Sequence, residues 1–338
     1  KIEKYKMKTT IDKLLGNQSL NQDESREIMF KIMSGEFNDV QIAGFLIALR
    51  SKGESSSEIA GFTQAMREKM TSVPIQSDAI DMCGTGGDAR GTFNISTAAS
   101  FVVAGAGVKV AKHGNRSMTS KSGSADVLTA LGVDITMSPE KVAECVDEIG
   151  IGFMFAPYLH PAMKYAVKAR TSLGVRTVFN ILGPLANPAG VRRQVLGVYD
   201  GVLTVTLAKV LKRLNAVSAM VVHGHDGMDE ITNTSSTKVT KLENGSIKST
   251  VFSPADYGIA VAKLGDLAGG EPEENAKIII DIFRGETGPR RDIVLLNAAA
   301  GIVVGGKVEY LSKGIELARQ SIDSGSAYDV MQKLISKR

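Results

Sequence analysis

The stretch that decides the fold runs from Asp81 to Asp126 and reads DMCGTGGDARGTFNISTAASFVVAGAGVKVAKHGNRSMTSKSGSAD. An apolar run enters Gly84-Thr85-Gly86-Gly87-Asp88, a turn whose three glycines let the backbone come close to a ligand. Asn94-Ile95-Ser96-Thr97 then precede a small-residue apolar run, Ala98 to Gly107. Such residues are helix N-caps, and a helix N-terminus offers free N–H groups and a positive dipole end. A second strand-like run, Val108 to Ala111, leads into the donor-rich Lys112-His113-Gly114-Asn115-Arg116-Ser117. Ser120-Lys121-Ser122-Gly123-Ser124 follows as the cap of a helix beginning near Ala125. Two strand ends, each followed by a helix start rich in Gly, Ser or Lys, describe a phosphate site. A Gly-rich turn alone is also an ordinary tight connection; the second donor-rich turn argues for the phosphate. Neither the dinucleotide G-x-G-x-x-G spacing nor a P-loop is present.

Outward from this stretch the chain changes character. Thr9 to Met70 reads as helices, with apolar stripes at Ile11, Leu14 and Leu15, at Ile28, Met29, Ile32 and Met33, and at Ile42, Phe45, Leu46 and Leu49. From Ala79 the pattern alternates strand and helix, which predicts a central, largely parallel sheet flanked by helices. Expected strands are Ala79–Met82, Val108–Ala111, Gly152–Ala156, Gln194–Tyr199 and Ala219–His223. Lys238–Leu242 and Ser246–Phe252 flank an Asn-Gly hairpin signal at Asn244-Gly245. The expected fold is therefore α/β: a small N-terminal helical domain, residues 1–72, and a large α/β domain, residues 73–338. Gly183 to Pro188 reads as a rigid connection.

Composition narrows the function classes. The 338 residues are 43% hydrophobic and 22% charged, with a net charge of +4 and scattered basic residues. No polybasic tail for nucleic acid or a membrane surface is indicated. Two cysteines argue against a disulfide framework or a Cys-rich zinc site. No run is apolar enough to span a bilayer and no signal-peptide core is visible, so the expected location is cytoplasmic. The acidic turn Asp226-Gly227-Met228-Asp229-Glu230 fits either a plain polar turn or a hard-cation site. Its place after a strand, in a chain with a phosphate site, favours the cation.

These motifs in this order, GTGGD, NIST, KHGNRS, SGSADVL, RTVFNILGPLANP and DGMDE, resemble the anthranilate phosphoribosyltransferase family over nearly the whole chain from about residue 10. The family shares its fold with pyrimidine nucleoside phosphorylases and acts early in tryptophan synthesis. The resemblance implies transfer of a phosphoribosyl group from phosphoribosyl pyrophosphate to the amine of anthranilate, with Mg²⁺ as cofactor. It places the donor at Gly84, Gly87, Asp88, Thr92, Asn94, Ile95, Ser96, Thr97, at Lys112, His113, Gly114, Asn115, Arg116, Ser117, Met118, Thr119, Ser120, and at Ser124. Anthranilate would meet Gly84, His113, Asn115 and Arg170, the arginine forking its carboxylate; Ser96, Asp229 and Glu230 would hold the metal. No covalent nucleophile is expected. The resemblance further implies a homodimer through the helical domain, which part of residues 160–190 would complete. A pyrimidine nucleoside phosphorylase is disfavoured by the intact GTGGD-NIST and acidic pair. A non-catalytic nucleic-acid-binding relative is disfavoured by the modest charge and whole motifs.

Overall fold

A computed structural model describes residues 2–117 and 121–337. Four helices come first: α1 (Ile2–Leu15), α2 (Gln22–Met33), α3 (Asp39–Lys52) and α4 (Ser56–Lys69). The α/β part runs β1 (Ile80–Gly84), α5 (Ile95–Gly105), β2 (Val110–Gly114), α6 (Ser124–Ala130), α7 (Pro139–Glu144), β3 (Ile151–Phe155) and α8 (Ala156–Leu159). Helices α9 (Lys164–Leu173) and α10 (Phe179–Leu185) interrupt it before β4 (Arg193–Gly197). There follow α11 (Leu203–Arg213), β5 (Ser218–Gly224), β6 (Thr237–Glu243) and β7 (Ser246–Phe252). Four helices close the described chain: α12 (Pro272–Phe283), α13 (Pro289–Val304), α14 (Leu311–Asp323) and α15 (Ser326–Ser336).

The strands form one sheet in the order β3-β2-β1-β4-β5-β6-β7. The first five pair in parallel; β6 and β7 add an antiparallel hairpin turned at Asn244 (φ 50°) and Gly245 (φ 73°). Two successive positive φ values are what an Asn-Gly hairpin turn requires. Strand order reverses direction at the β1–β4 pair, and ligands of open parallel sheets bind beyond the strand carboxyl ends at such a switch point.

Side chains alternate across the sheet and divide the core. Val195, Met220, Val222 and Val239 join the cluster under α5, α12 and α13. Leu196, Val198, Ala219, Val221 and Leu242 face the other way and join α11, α10 and the N-terminal helices in one apolar cluster. Helices α9 and α10 contribute Ala166, Ala169, Phe179, Ile181, Leu182 and Leu185 to that cluster. Two local expectations fail. Leu15 lies 68% exposed, because the buried face of α1 is set by Met7 and Leu14. The rigid connection expected at Gly183 to Pro188 begins as helix rather than loop: Pro184 sits inside α10, in its last turn.

A third difference bears on function. The strand expected at Val108–Ala111 is shifted to Val110–Gly114, so Lys112 and His113 are strand residues, 2% and 6% exposed. Pairing with β3, from Val110 opposite Ile151 to Gly114 opposite Phe155, carries the strand three residues further, through Lys112, His113 and Gly114, than hydropathy indicates.

One buried ion pair secures the helical bundle. The Glu58 carboxylate, fully buried, accepts from the backbone N–H of Leu20 (2.9 Å) and Ser55 (2.7 Å) and from Lys52 Nζ (2.9 Å). Glu58→Ala takes the carboxylate from a lysine that is itself 4% exposed, leaving it only Ser19 Oγ and Gly53 O among the described residues, and strands two backbone donors. The expected destabilisation is about 3–5 kcal/mol, the range for removing one partner of a buried pair. Urea unfolding of the variant checks it; a loss below about 1 kcal/mol, the scale of an exposed pair, contradicts this account.

Candidate active site

The Gly84–Asp88 turn begins where β1 ends. Thr85 N–H donates to Gly197 O (2.9 Å), and Gly86 N–H donates to Asp229 Oδ2 (2.7 Å). Gly86 (φ 66°) and Gly87 (φ 77°) lie in the left-handed region that glycine tolerates. The N–H groups of Gly87 and Asp88 take no partner among the described residues. Successive open N–H groups in such a turn form an anion-binding concavity. Gly84 and Gly197 face each other across β1 and β4, and Asp229 lies over both. A Cβ at Gly84 would stand 2.3 Å from Asp229 Oδ2, and one at Gly197 1.6 Å from Asp229 O. Both must therefore be glycine for the acidic turn to reach the strand ends.

Helix α5 starts beside the turn. Asn94 holds its N-cap position but makes no side-chain cap. Its amide instead cross-links neighbours: Nδ2 donates to Ser122 O (3.1 Å), and Oδ1 accepts from Asn275 Nδ2 (2.9 Å) and Ser122 Oγ (3.2 Å). Ile95 and Thr97 point their side chains into the core, each 1% exposed, leaving the backbone at the helix start for a ligand. Thr92 bridges to Ala268 at the rim.

Beyond β2, Asn115 is exposed, and its carbonyl accepts from Ser124 Oγ (3.3 Å). Arg116 is held by an ion pair to Asp126 Oδ1 (2.8 Å). Asp126 Oδ2 also accepts the N–H groups of Ser117 (3.0 Å) and Gly123 (2.9 Å), so this carboxylate, not the serines, caps α6 and fixes the loop. The reading of the serines as caps missed it; an Asp three residues past Gly123 was the available signal. Gly114 packs within 2.8 Å of Phe153 for a built Cβ, so only its backbone faces the site. Met118, Thr119 and Ser120 lie outside the described residues.

The acidic residues meet the turn and α5. Burial pushes the Asp229 carboxyl up to about 7, Asp88 adds repulsion, and the Gly86 N–H pulls back. Burial, then Asp229, push Glu230 well up, while Lys112 and the Ser96 backbone pull it down. Lys112 turns inward, donating to Met82 O (2.5 Å) and, more loosely, to Ser96 Oγ (3.4 Å). Its ammonium thus stands as an internal counter-charge that lowers Glu230 from the buried side. Ser96, Asp229 and Glu230 offer hard oxygen donors whose crowding a divalent cation would relieve, so they fit magnesium. Among the described residues no three His, Cys, Asp or Glu side chains form a metal cage.

Arg170 lies on α9 with its guanidinium 5.0 Å from the Phe179 ring centroid. The side chain is half-buried, and desolvation lowers its pKa. No hydrogen bond or ion pair engages that side chain among the described residues. The His113 and His160 rings lie tilted against each other with centroids 5.0 Å apart, and each leaves Nε2 buried without a partner among the described residues. His113 bonds the Gly183 carbonyl and His160 the Ala186 carbonyl. Sequence reasoning did not single out His160.

Burial, with repulsion from His160 and then Lys112, lowers His113 to about 3; burial lowers His160 to about 4. Both are neutral in the fold, whereas unfolded histidine titrates near 6.5. Below that pH the unfolded chain binds protons first, so the histidine contribution to stability is full above about 6.5 and is lost as pH falls. Asp229 and Glu230 act with the opposite sign, so the comparison must be between variants. Relative to His160→Gln, the wild type should lose about 1.4 kcal/mol per pH unit from pH 6.5 toward 4, measured by denaturant unfolding. A pH-independent difference overturns the neutral buried pair.

Comparison with known proteins agrees with this geometry. The pattern described as glycosyl transferase family, a/b domain, matches residues 76–328, and the family's helical bundle domain matches residues 8–70. Anthranilate phosphoribosyltransferase of Alkaliphilus metalliredigens is 52% identical over 330 residues, 97% of either chain. The crystal structure of the Thermus thermophilus enzyme of that name superposes with a TM-score of 0.91 at 42% identity, covering 97% of this chain and 98% of that one. The Saccharomyces cerevisiae enzyme in complex with PRPP and Mg superposes with a TM-score of 0.89 at 29% identity, covering 98% and 97%. A helical bundle on a switched parallel sheet, a glycine turn under a buried acidic pair and a sequence more than half identical along its length lead to one assignment: the chain belongs to the anthranilate phosphoribosyltransferase family.

Proposed function

We propose that this protein transfers the phosphoribosyl group from phosphoribosyl pyrophosphate to the amine of anthranilate, releasing pyrophosphate, as a step of tryptophan biosynthesis. The observation that carries the reading is Arg170: a half-buried guanidinium over Phe179 with no anionic partner among the described residues. It sits in the last turn of α9, just before the segment whose Arg176 reaches Gly87. A planar guanidinium left unpaired at this depth suits the bidentate carboxylate of an aromatic acid.

In this reading the donor pyrophosphate rests on the open N–H groups of Gly87 and Asp88 and on the start of α5. Ser96, Asp229 and Glu230 would hold Mg²⁺, which when bound supplies Lewis-acid stabilisation of the leaving pyrophosphate. Lys112 partly offsets the charge of Glu230 from the buried side. Arg170 fixes the acceptor carboxylate, and Asn115 and His113 border its ring. The ribose C1–O bond breaks with its electron pair going to pyrophosphate, the amine nitrogen bonds C1, and its proton is then lost. Because the neutral aryl amine is already nucleophilic, positioning and electrostatics carry the rate. We further propose that residues 1–72 with part of 160–190 act as one unit, separate from the large domain at 73–338. Exposed Val40 and Ile47 on α3, and Val167 on α9, support a homodimer through that unit. No helix among the described residues is long and apolar enough to cross a membrane, and water-soluble substrates suit a cytoplasmic enzyme.

Loss of anthranilate fluorescence on adding phosphoribosyl pyrophosphate and Mg²⁺ tests the reaction; an unchanged signal rejects it. Arg170→Ala should raise the anthranilate KM about ten- to a hundredfold, the scale of a charge-assisted hydrogen-bond pair, with the donor KM little changed. Unaltered anthranilate kinetics removes Arg170 from the site.

The acidic pair gives a second test. Replacing Asp229 and Glu230 together by Ala should abolish Mg²⁺-dependent turnover in protein that melts no lower than wild type, since burying two crowded carboxylates is itself costly. Activity with an unchanged magnesium titration rejects these residues as the metal site.

A further inference from the structure

The Gly84–Asp88 turn is gripped at successive points. Tyr199 N–H donates to Thr85 Oγ1 (3.2 Å), and Asp229 Oδ2 accepts from Gly86 N–H (2.7 Å). At Gly87 the grip comes from elsewhere: Arg176 Nη2 donates to the Gly87 carbonyl. Arg176 belongs to neither strand end. It lies on the connection between α9 and α10, its guanidinium 4.1 Å from the Tyr199 ring centroid and its own carbonyl accepting from Arg50 of α3. One arginine therefore links the helical bundle, the acceptor-side helix and the middle of the phosphate turn.

The peptide after Gly87 is where that link acts. In a trans peptide the C=O and N–H point in opposite directions, so holding the Gly87 carbonyl also aims the Asp88 N–H. That N–H is one of the two open donors of the turn. Glycine at φ 77° does little to prevent the adjoining peptide from rotating, since it has no Cβ to restrict it. A rotated peptide would present a carbonyl oxygen to the phosphate in place of a donor. We infer that Arg176 is a positioning residue that locks the Gly87–Asp88 peptide with its N–H toward the donor pyrophosphate. This rests on the transferase reading and adds to it a reason why the connection from α9 reaches the cradle.

Arg176→Met keeps the packing on Tyr199 and removes the donor; Arg176→Lys keeps a donor for the carbonyl. By titration calorimetry with Mg²⁺, Arg176→Met should bind pyrophosphate about tenfold more weakly than wild type, the scale of one hydrogen bond to a charged group. Arg176→Lys should recover most of that loss. The apo melting temperature of both should stay within about 2 °C of wild type, since the side chain is exposed. The anthranilate KM at saturating donor should also be unchanged. The inference is overturned if Arg176→Met binds pyrophosphate like wild type. It is equally overturned if Lys and Met lose affinity alike, which would mean a direct fork on the anion, or if the apo protein is destabilised in step with affinity. A wild type that binds no pyrophosphate rejects the transferase reading and this inference together, whereas a binding wild type with an unaffected Met variant rejects this inference alone.

Discussion

The constraint on which the rest depends is the carboxyl end of α10, where a short helix must satisfy its last carbonyls inside the protein. Four residues from four places do so. His113 on β2 bonds Gly183, Gln194 on β4 donates to Pro184 O (2.6 Å), Arg67 on α4 donates to Leu185 O (2.7 Å), and His160 bonds Ala186. Immediately after, Asn187 Nδ2 donates to Asp81 Oδ2 (2.8 Å) and to Ala111 O (3.0 Å), joining β1 to β2. A helix end that needs donors thus fixes the bundle to the sheet. It also explains two buried neutral histidines and a fully buried Asp81, whose carboxyl is pushed up by desolvation.

The same joint places chemistry. Arg170 rests on Phe179, the first residue of α10, so this cation is positioned by a helix whose other end is anchored beside β1 and β2. On the donor side, Gly84 and Gly197 leave room at paired strand ends for Asp229 to descend and take the Gly86 N–H. The acidic turn and the glycine turn are thus joined directly through Asp229. Lys112, buried in β2 between Met82 O and Ser96 Oγ, supplies the positive charge that makes such crowding of carboxylates tolerable.

By itself the sequence determined the layer order, the helical beginning, the parallel sheet with its Asn-Gly hairpin, and the two loops that meet at the switch point. Hydrophobic periodicity, glycine and capping residues are local signals, and these elements obey local rules. What only the tertiary structure decided was where polar side chains point. Lys112 and His113 read as loop donors because hydropathy ends at Ala111, yet pairing with β3 extends the strand and buries both. Asn94 reads as a cap, but partners 28 and 181 residues away take its amide. Gly183 to Pro188 reads as a rigid connection, yet α10 runs through Pro184 because the proline sits in the last turn, where a tertiary donor takes its carbonyl. Hydrogen bonds between distant segments depend on which strands become neighbours, and no local pattern carries that information.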